Sequence, residues 1–248
     1  MIFANRDAAG RALAEQVARQ VPADAGPFVV LALPRGGLPV AVPVARRLGA
    51  DLDIVIARKI GAPGRSEYGV GAIAEDGPPI FDQDALRYLG LSEEDLAGTV
   101  AAERAELARR TVRYRAGRPA PDVTGRSVVL VDDGLATGVT ARAALRWLRA
   151  QRPYRLVLAV PVCSPEARDL LADDADLVVY LHAPERFCAV GQWYADFGQL
   201  DDSDVERALG QATRVPARSG EQPPGERRQA ETTEAARHVR RPLRGRHR

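Results

Sequence analysis

Five short apolar runs constrain this chain more than any other feature. They are FVVLAL (28–33), LDIVIA (52–57), SVVLVD (127–132), RLVLAVPV (155–162) and DLVVYL (176–181). None alternates apolar with polar residues, as a strand with one wet face would. Continuous runs of this length fit strands buried on both faces of a parallel sheet. Helical patterns stand between them. Ala9, Leu13 and Val17 recur every four residues in a segment read as a helix over 6–20. Further helices are expected over 39–48, stopped by Gly49, and over 139–150 and 165–172. Such alternation predicts an α/β fold, an open and mostly parallel sheet with helices on both faces and right-handed crossovers. The longest apolar stretches, such as LVLAVPVC at 156–163, are far short of the ~20 residues that span a bilayer.

Residues 60–84 break the rhythm with Gly61, Gly64, Gly69, Gly71, Gly77, Pro63, Pro78 and Pro79. VGAIAE (70–75) and PIF (79–81) read as short antiparallel strands around an Asp76-Gly77 turn, with a mobile tip at 61–68. Ser92-Glu93-Glu94-Asp95 has the form of a helix start, opening a long charged helix to about Tyr114. Aromatic residues then cluster late, at Phe187, Trp193, Tyr194 and Phe197, before a short helix over 202–209.

Charge divides the chain. The formal net charge is +2, but residues 211–248 hold ten Arg and four Glu. That leaves 25 basic and 29 acidic residues in 1–210. An acidic body does not suit a general nucleic-acid binder. The basic end, without aromatics, reads as a disordered Arg-rich tail. A tail acting as a nucleic-acid or partner arm is the competing reading. Cys163 and Cys188 cannot build a disulfide framework, and MIFANRDAAG lacks a signal-peptide pattern. These features point to a cytoplasmic protein with no membrane partner.

The stretch VVLVDDGLATGVT (128–140) carries the chemistry. It is a buried strand, two acids, a small-residue loop and a helix start. Ligands of open parallel sheets bind beyond the carboxyl ends of strands. The loop offers backbone N–H groups and two hydroxyls at a helix N-terminus, which makes a phosphate seat. Two carboxylates beside it would repel the ligand unless they face its hydroxyls or a metal. A sugar phosphate resolves that conflict. GVGAIA (69–74) fits a dinucleotide fingerprint on paper but neither follows a strong strand nor opens a helix. GLATGVT lacks the Gly-Lys-Ser/Thr of a P-loop.

The stretch resembles the signature of type I phosphoribosyltransferases, which bind 5-phosphoribosyl-1-diphosphate (PRPP). The PRGG turn at 34–37 is similar to that family's pyrophosphate loop, and Arg58-Lys59 with the Gly-rich excursion to its flexible closing loop. Residues 187–197 resemble the hood that holds the base. The resemblance spans about 28–200 and is nearest to bacterial members with PRGG and RKIG sequences. It implies one domain over 1–210, with a core over about 28–182 and a hood over about 183–200, followed by the tail at 211–248.

The resemblance also implies roles. Gly134, Leu135, Ala136, Thr137, Gly138, Val139 and Thr140 would hold the 5′-phosphate. Arg35, Gly36, Gly37, Arg58 and Lys59 would hold pyrophosphate. Asp132 and Asp133 would bind the ribose hydroxyls, directly or through Mg²⁺, and with Arg35 and Lys59 form the catalytic set. Phe187, Val190, Trp193 and Tyr194 would hold the base. The implied function is transfer of the phosphoribosyl group to a nitrogenous, purine-like base with release of pyrophosphate, in a possible homodimer. A non-catalytic PRPP- or nucleotide-binding regulator is the alternative. Two departures bear on the base. Ala136 stands where the 6-oxopurine enzymes place a carboxylate, and Cys188 where a stacking aromatic is expected. Glu67 and Asp196 are candidates for handling the base proton. Lys59 is the only lysine among 35 basic residues.

Overall fold

A computed structural model describes residues 2–22 and 25–212. Helix α1 (Arg6–Gln20) starts at Asn5, whose side chain accepts from the Ala8 amide and satisfies an otherwise unpaired donor. Strand β1 (Phe28–Ala32) leads into α2 (Gly37–Leu48) and β2 (Asp51–Ile54). Then come β3 (Ala57–Ala62), β4 (Arg65–Ala74), β5 (Ile80–Phe81), α3 (Gln83–Leu89) and α4 (Ala97–Arg115). The parallel rhythm returns with β6 (Ser127–Val131), α5 (Val139–Ala150), β7 (Arg155–Val162), α6 (Pro165–Leu171), β8 (Leu177–His182) and α7 (Asp202–Ala212).

Five strands form one parallel sheet in the order β2-β1-β6-β7-β8. Successive side chains on a strand face opposite ways. Val30, Ala32, Val129, Val131, Val157 and Ala159 therefore meet α1 and α2. Val29, Leu31, Val128, Leu130, Leu156 and Leu158 meet α5 and α6. Both faces of the central strands β1, β6 and β7 are covered, and this explains why their runs carry no polar alternation, while the edge strands β2 and β8 are mostly half-buried. The α1–α2 contact is close. A Cβ on Gly10 would stand 2.5 Å from the Val40 carbonyl oxygen. Gly10→Val is expected to force the two helices apart and cost ~1–3 kcal/mol. The free energy of urea unfolding checks this, and an unchanged midpoint would disprove the close approach.

The second sheet, in the order β3-β4-β5, is antiparallel. Strand β5 pairs with β4 around the expected turn, Gly71 opposite Phe81. The Gly-Val-Gly stretch lies inside β4. Two expectations change here. The run 52–57 is not one strand. It ends the parallel sheet at Ile54, and the chain re-enters an antiparallel sheet at Ala57. Buried Ile54, Val55 and Ile56 run straight across the junction, so no change of pattern marks the break. Residues 61–68 form a β-hairpin turning at Pro63-Gly64, where a loop was expected, because β3 and β4 pair up to Ala62 and Arg65.

Ser92 and Asp95 bond reciprocally, Ser92 N–H to the Asp95 carboxylate (2.8 Å) and Asp95 N–H to Ser92 Oγ (3.3 Å). That is a capping box, but it opens a short 3-10 turn, Glu94–Leu96, ahead of α4. Helix α3 is an element that the sequence reading did not anticipate. No described helix is long and apolar enough to cross a membrane. Helix α7 runs to Ala212, and the expected tail beyond it lies outside the described residues.

Candidate functional site

The strand order places β1 and β6 side by side while their crossovers depart in opposite directions. A crevice opens at such a point, beyond the carboxyl ends of the two strands. Two loops line it. Strand β1 supplies Leu33–Gly37, in which the Pro34–Arg35 peptide is cis. Strand β6 supplies Asp132–Gly138. The loops touch. A Cβ on Gly36 would collide with the Asp133 carboxylate. One on Gly37 would stand 2.5 Å from the Val131 carbonyl oxygen. Only glycine permits this approach of one loop to the other.

Both helices that leave these loops begin on glycine. Gly36 precedes α2 and Gly138 precedes α5, and neither helix has a side-chain cap. Asn5, Asp82 and Ser164 do cap α1, α3 and α6. Uncapped N-termini carry a partial positive charge and free donors, although at α2 the Gly37 and Leu38 N–H groups are taken by the Leu33 (3.0 Å) and Arg35 (3.3 Å) carbonyls. Gly138 has φ 73°, and a Cβ there would stand 2.9 Å from Leu171 Cδ1, so glycine is required twice over.

The loop after β6 is anchored from beneath. Leu135 is buried, and its amide donates to the Val162 carbonyl (3.0 Å). Ser164 bonds it from α6, through N–H to the Leu135 carbonyl (2.9 Å) and Oγ to that of Ala136 (2.8 Å). Ala136 and Thr137 are left exposed, while Val139 and Thr140 are half-buried.

The carboxylate pair is electrostatically tense. Burial, and next the charge of Asp133, hold the Asp132 carboxyl well above the usual carboxylate range. Burial also raises Asp133, while the Arg6 guanidinium opposes the rise. Arg6 Nε lies 2.8 Å from Asp133 Oδ2, with both side chains mostly buried. Tyr194 Oη donates to the Asp133 carbonyl (2.5 Å). Burial and Asp133 push the Tyr194 ionisation up, so this hydroxyl stays a donor. No group of three or more His, Cys, Asp or Glu among the described residues could hold a metal ion unaided.

The hood closes on this loop. A Cβ on Gly134 would stand 2.6 Å from Val190 Cγ1. Trp193 lies against His182 (4.9 Å between ring centroids) and Phe187 (6.3 Å). Its Nε1 is buried with no hydrogen-bond partner. Phe187, Val190 and Trp193 are half-buried, while Tyr194 is buried on Phe3 as a support for the loop. Asp196 is exposed, and the Glu67 side chain falls outside what the structure describes.

The expected basic residues are not gathered in one place. Arg35 reaches Asp202 on α7 (3.5 Å). Asp202 also accepts from Tyr114 (2.5 Å) and Arg113 (2.6 Å), and the Tyr114 bond, foremost, lowers its pKa. Arg58 and Lys59 are neighbours on β3 and so face opposite sides. Arg58 bonds Glu103 on α4 (2.7 Å). Lys59 is exposed, with its stem along Gly69. They stand within a strand, where a strand end was expected. Arg6 was absent from the sequence reading. Its partner is 127 positions away, and the only local sign was a helix start at Asn5.

Comparison with known proteins gives this geometry a family. Residues 2–189 match the phosphoribosyl transferase domain. Two proteins of Mycobacterium tuberculosis, provisionally named phosphoribosyl transferases, are 42% identical over 219 residues. The match covers 88% of this chain and 49% of each relative, so the chain spans about half the length of the curated relatives it matches. A crystal structure from Thermus thermophilus is 47% identical with TM-score 0.71, covering 85% of this chain and 99% of that one. With a parallel sheet, two glycine-led loops at its switch point and this match over 2–189, the chain belongs to the phosphoribosyl transferase family.

Proposed function

We propose that the protein binds PRPP with Mg²⁺ and transfers its phosphoribosyl group to a nitrogenous, purine-like base, releasing pyrophosphate. One observation carries the reading. Two uncapped helix starts flank a carboxylate pair at the sheet's switch point. PRPP has the matching outline, with a phosphate at one end, a pyrophosphate at the other and hydroxyls between. The loop from Gly134 to Thr140 takes the 5′-phosphate through backbone N–H groups and the hydroxyls of Thr137 and Thr140. Gly36 presents its backbone N–H to the pyrophosphate, while the Gly37 N–H is taken by the Leu33 carbonyl (3.0 Å), so that Gly37 serves by keeping the two loops close. Arg35 joins them by leaving Asp202, a contact long enough to exchange easily. Lys59 supplies charge from the exposed face of β3. Arg58, held by Glu103, shapes that strand.

The transition state of such a transfer resembles an oxocarbenium ion. Asp132 and Asp133 set negative charge beside the sugar. Their oxygens also suit Mg²⁺, which is commonly bound by one or two carboxylates plus substrate phosphates. That fits a pair too small to be a cage of its own. The ion, when bound, neutralises the leaving pyrophosphate. Phe187, Val190 and Trp193 form the base's wall, and the exposed Ala136 presents no carboxylate to it.

The deciding experiment mixes the protein with PRPP, Mg²⁺ and six bases (adenine, guanine, hypoxanthine, xanthine, uracil, orotate) and follows pyrophosphate. Release with one base, abolished in Asp132→Asn/Asp133→Asn, is expected. No release with any base, alongside tight PRPP binding by calorimetry, would favour a regulatory PRPP binder. A sharper check comes from Gly36→Ala. Its methyl must displace the Asp133 carboxylate, so PRPP affinity should fall at least about tenfold, the equivalent of ~1.4 kcal/mol. An unchanged calorimetric Kd would remove the two loops from one shared site.

A further inference from the structure

Arg6 makes three contacts that no local pattern foreshadows. Its Nε bonds the Asp133 carboxylate (2.8 Å) and its Nη1 the Gly198 carbonyl (2.9 Å). Its guanidinium carbon lies 3.8 Å from the centroid of the Phe197 ring. The first contact is to the acidic pair, the other two to the end of the hood. Main-chain bonds run beside it. Phe3 N–H donates to the Trp193 carbonyl (2.8 Å), Ala195 N–H to that of Phe3 (2.8 Å) and Asp196 N–H to that of Ala4 (3.0 Å). The Phe197 ring in turn stacks on Tyr194 (5.1 Å), which bonds the Asp133 carbonyl.

We propose that Arg6 is a positioning residue for the acceptor. It fastens the hood to the acidic pair, so the shape of the acceptor's seat depends on a guanidinium held by Asp133. The proposal rests on the transferase reading and adds a division of labour. Asp133 is engaged by Arg6, and Asp132 is the carboxylate left to face the ligand. A planar fork suits this task, because it bonds two acceptors in its plane while its face covers a ring. Lysine carries the same charge but no face and no fork.

The test uses the full chain and the variants Arg6→Met, Arg6→Lys and Phe197→Leu. Amide hydrogen exchange is followed over 194–198 without ligand. Kinetics are measured with Mg²⁺, PRPP and whichever of the six bases is turned over. Arg6→Met should speed exchange about tenfold and raise the acceptor KM about tenfold, with kcat within about threefold, as expected for losing one charge-assisted hydrogen bond. Arg6→Lys should leave KM raised. Phe197→Leu, at a partly exposed ring, should raise KM about threefold through the lost ring contact. A merely structural role would lower kcat or active fraction without a selective rise in KM. Unchanged exchange in Arg6→Met, a fall in kcat at constant KM, or full rescue by lysine would each overturn the proposal. If no base reacts, the transferase reading fails, and the exchange experiment still decides whether Arg6 holds the hood.

Discussion

Asp132→Asn should lose about 10²–10³-fold in turnover, as expected when a preorganised electrostatic group at a charged transition state is removed, and should make the protein more stable at neutral pH. Both effects have one cause. The Asp132 carboxylate is held among buried groups beside a second carboxylate; on the proposed reading the transition state needs its charge, and the folded chain alone does not. Burial, then Asp133, raise the folded-state pKa of Asp132 well above its ordinary value of 3.8. Between those two values the folded protein keeps a proton that the unfolded chain has released. Stability therefore falls as pH rises through that window, then stays level. Asparagine cannot ionise, and its carbonyl can still accept the Asp133 amide as Asp132 Oδ1 does (2.8 Å). The gain in Tm should thus be absent below about pH 3.8 and grow as pH rises from there. Melting curves across pH check this, and a variant less stable than wild type at neutral pH would refute the tension. Such a trade of stability for function is common at active sites.

Breaking the Glu75–Arg115 pair should cost ~3–5 kcal/mol, because the remaining charge is left buried alone. Both side chains are almost wholly covered, and Arg115 Nη2 lies 3.0 Å from Glu75 Oε1. The same nitrogen bonds the Ile54 carbonyl (3.2 Å), and Glu75 Oε1 accepts from Ile56 N–H (2.8 Å). This pair therefore ties down the place where the chain leaves the parallel sheet for the antiparallel one. Burial raises the Glu75 pKa despite Arg115, and Arg115 Nε and Nη1 have no partner. Glu75→Leu and Arg115→Met should each show the loss in urea unfolding. The double variant should recover most of it, since neither charge is then stranded. Losses that simply add would show that the two residues act separately.

The parts of this molecule that could be read from its sequence are those whose causes are local. Helix α5 was legible over Val139–Ala150 because its apolar face repeats and Gly138 marks its start. Strand β7 was legible over Arg155–Val162 because seven of its eight residues are buried. The acidic pair and its glycine loop lie within a dozen residues of each other, so strand, loop and helix announce the site together. Where two elements share one apolar run, the signal fails. Residues 52–57 read as one run around the buried Ile54, Val55 and Ile56, and the Glu75–Arg115 pair far along the chain shows why they divide. Helix α3 has seven residues with two buried, too few to display a period. The sequence puts Arg58-Lys59 at a strand end, and their place inside β3, with opposed directions, follows from the pairing of β3 with β4 far along the excursion. Arg6 gave no sign because its meaning comes from Asp133, Phe197 and Gly198 at once.

The pairing of Phe3 with Tyr194 also has a consequence in time. The two residues are 191 positions apart, and chains are made at roughly 5–20 residues per second. The ribosome therefore delivers one half of this contact ~10–40 s before the other. The parallel core can assemble in that interval, but the segment around Tyr194 that closes over the Gly134 loop cannot. The crevice is a half-built vessel until Tyr194 has been made, and residues made long before it close it.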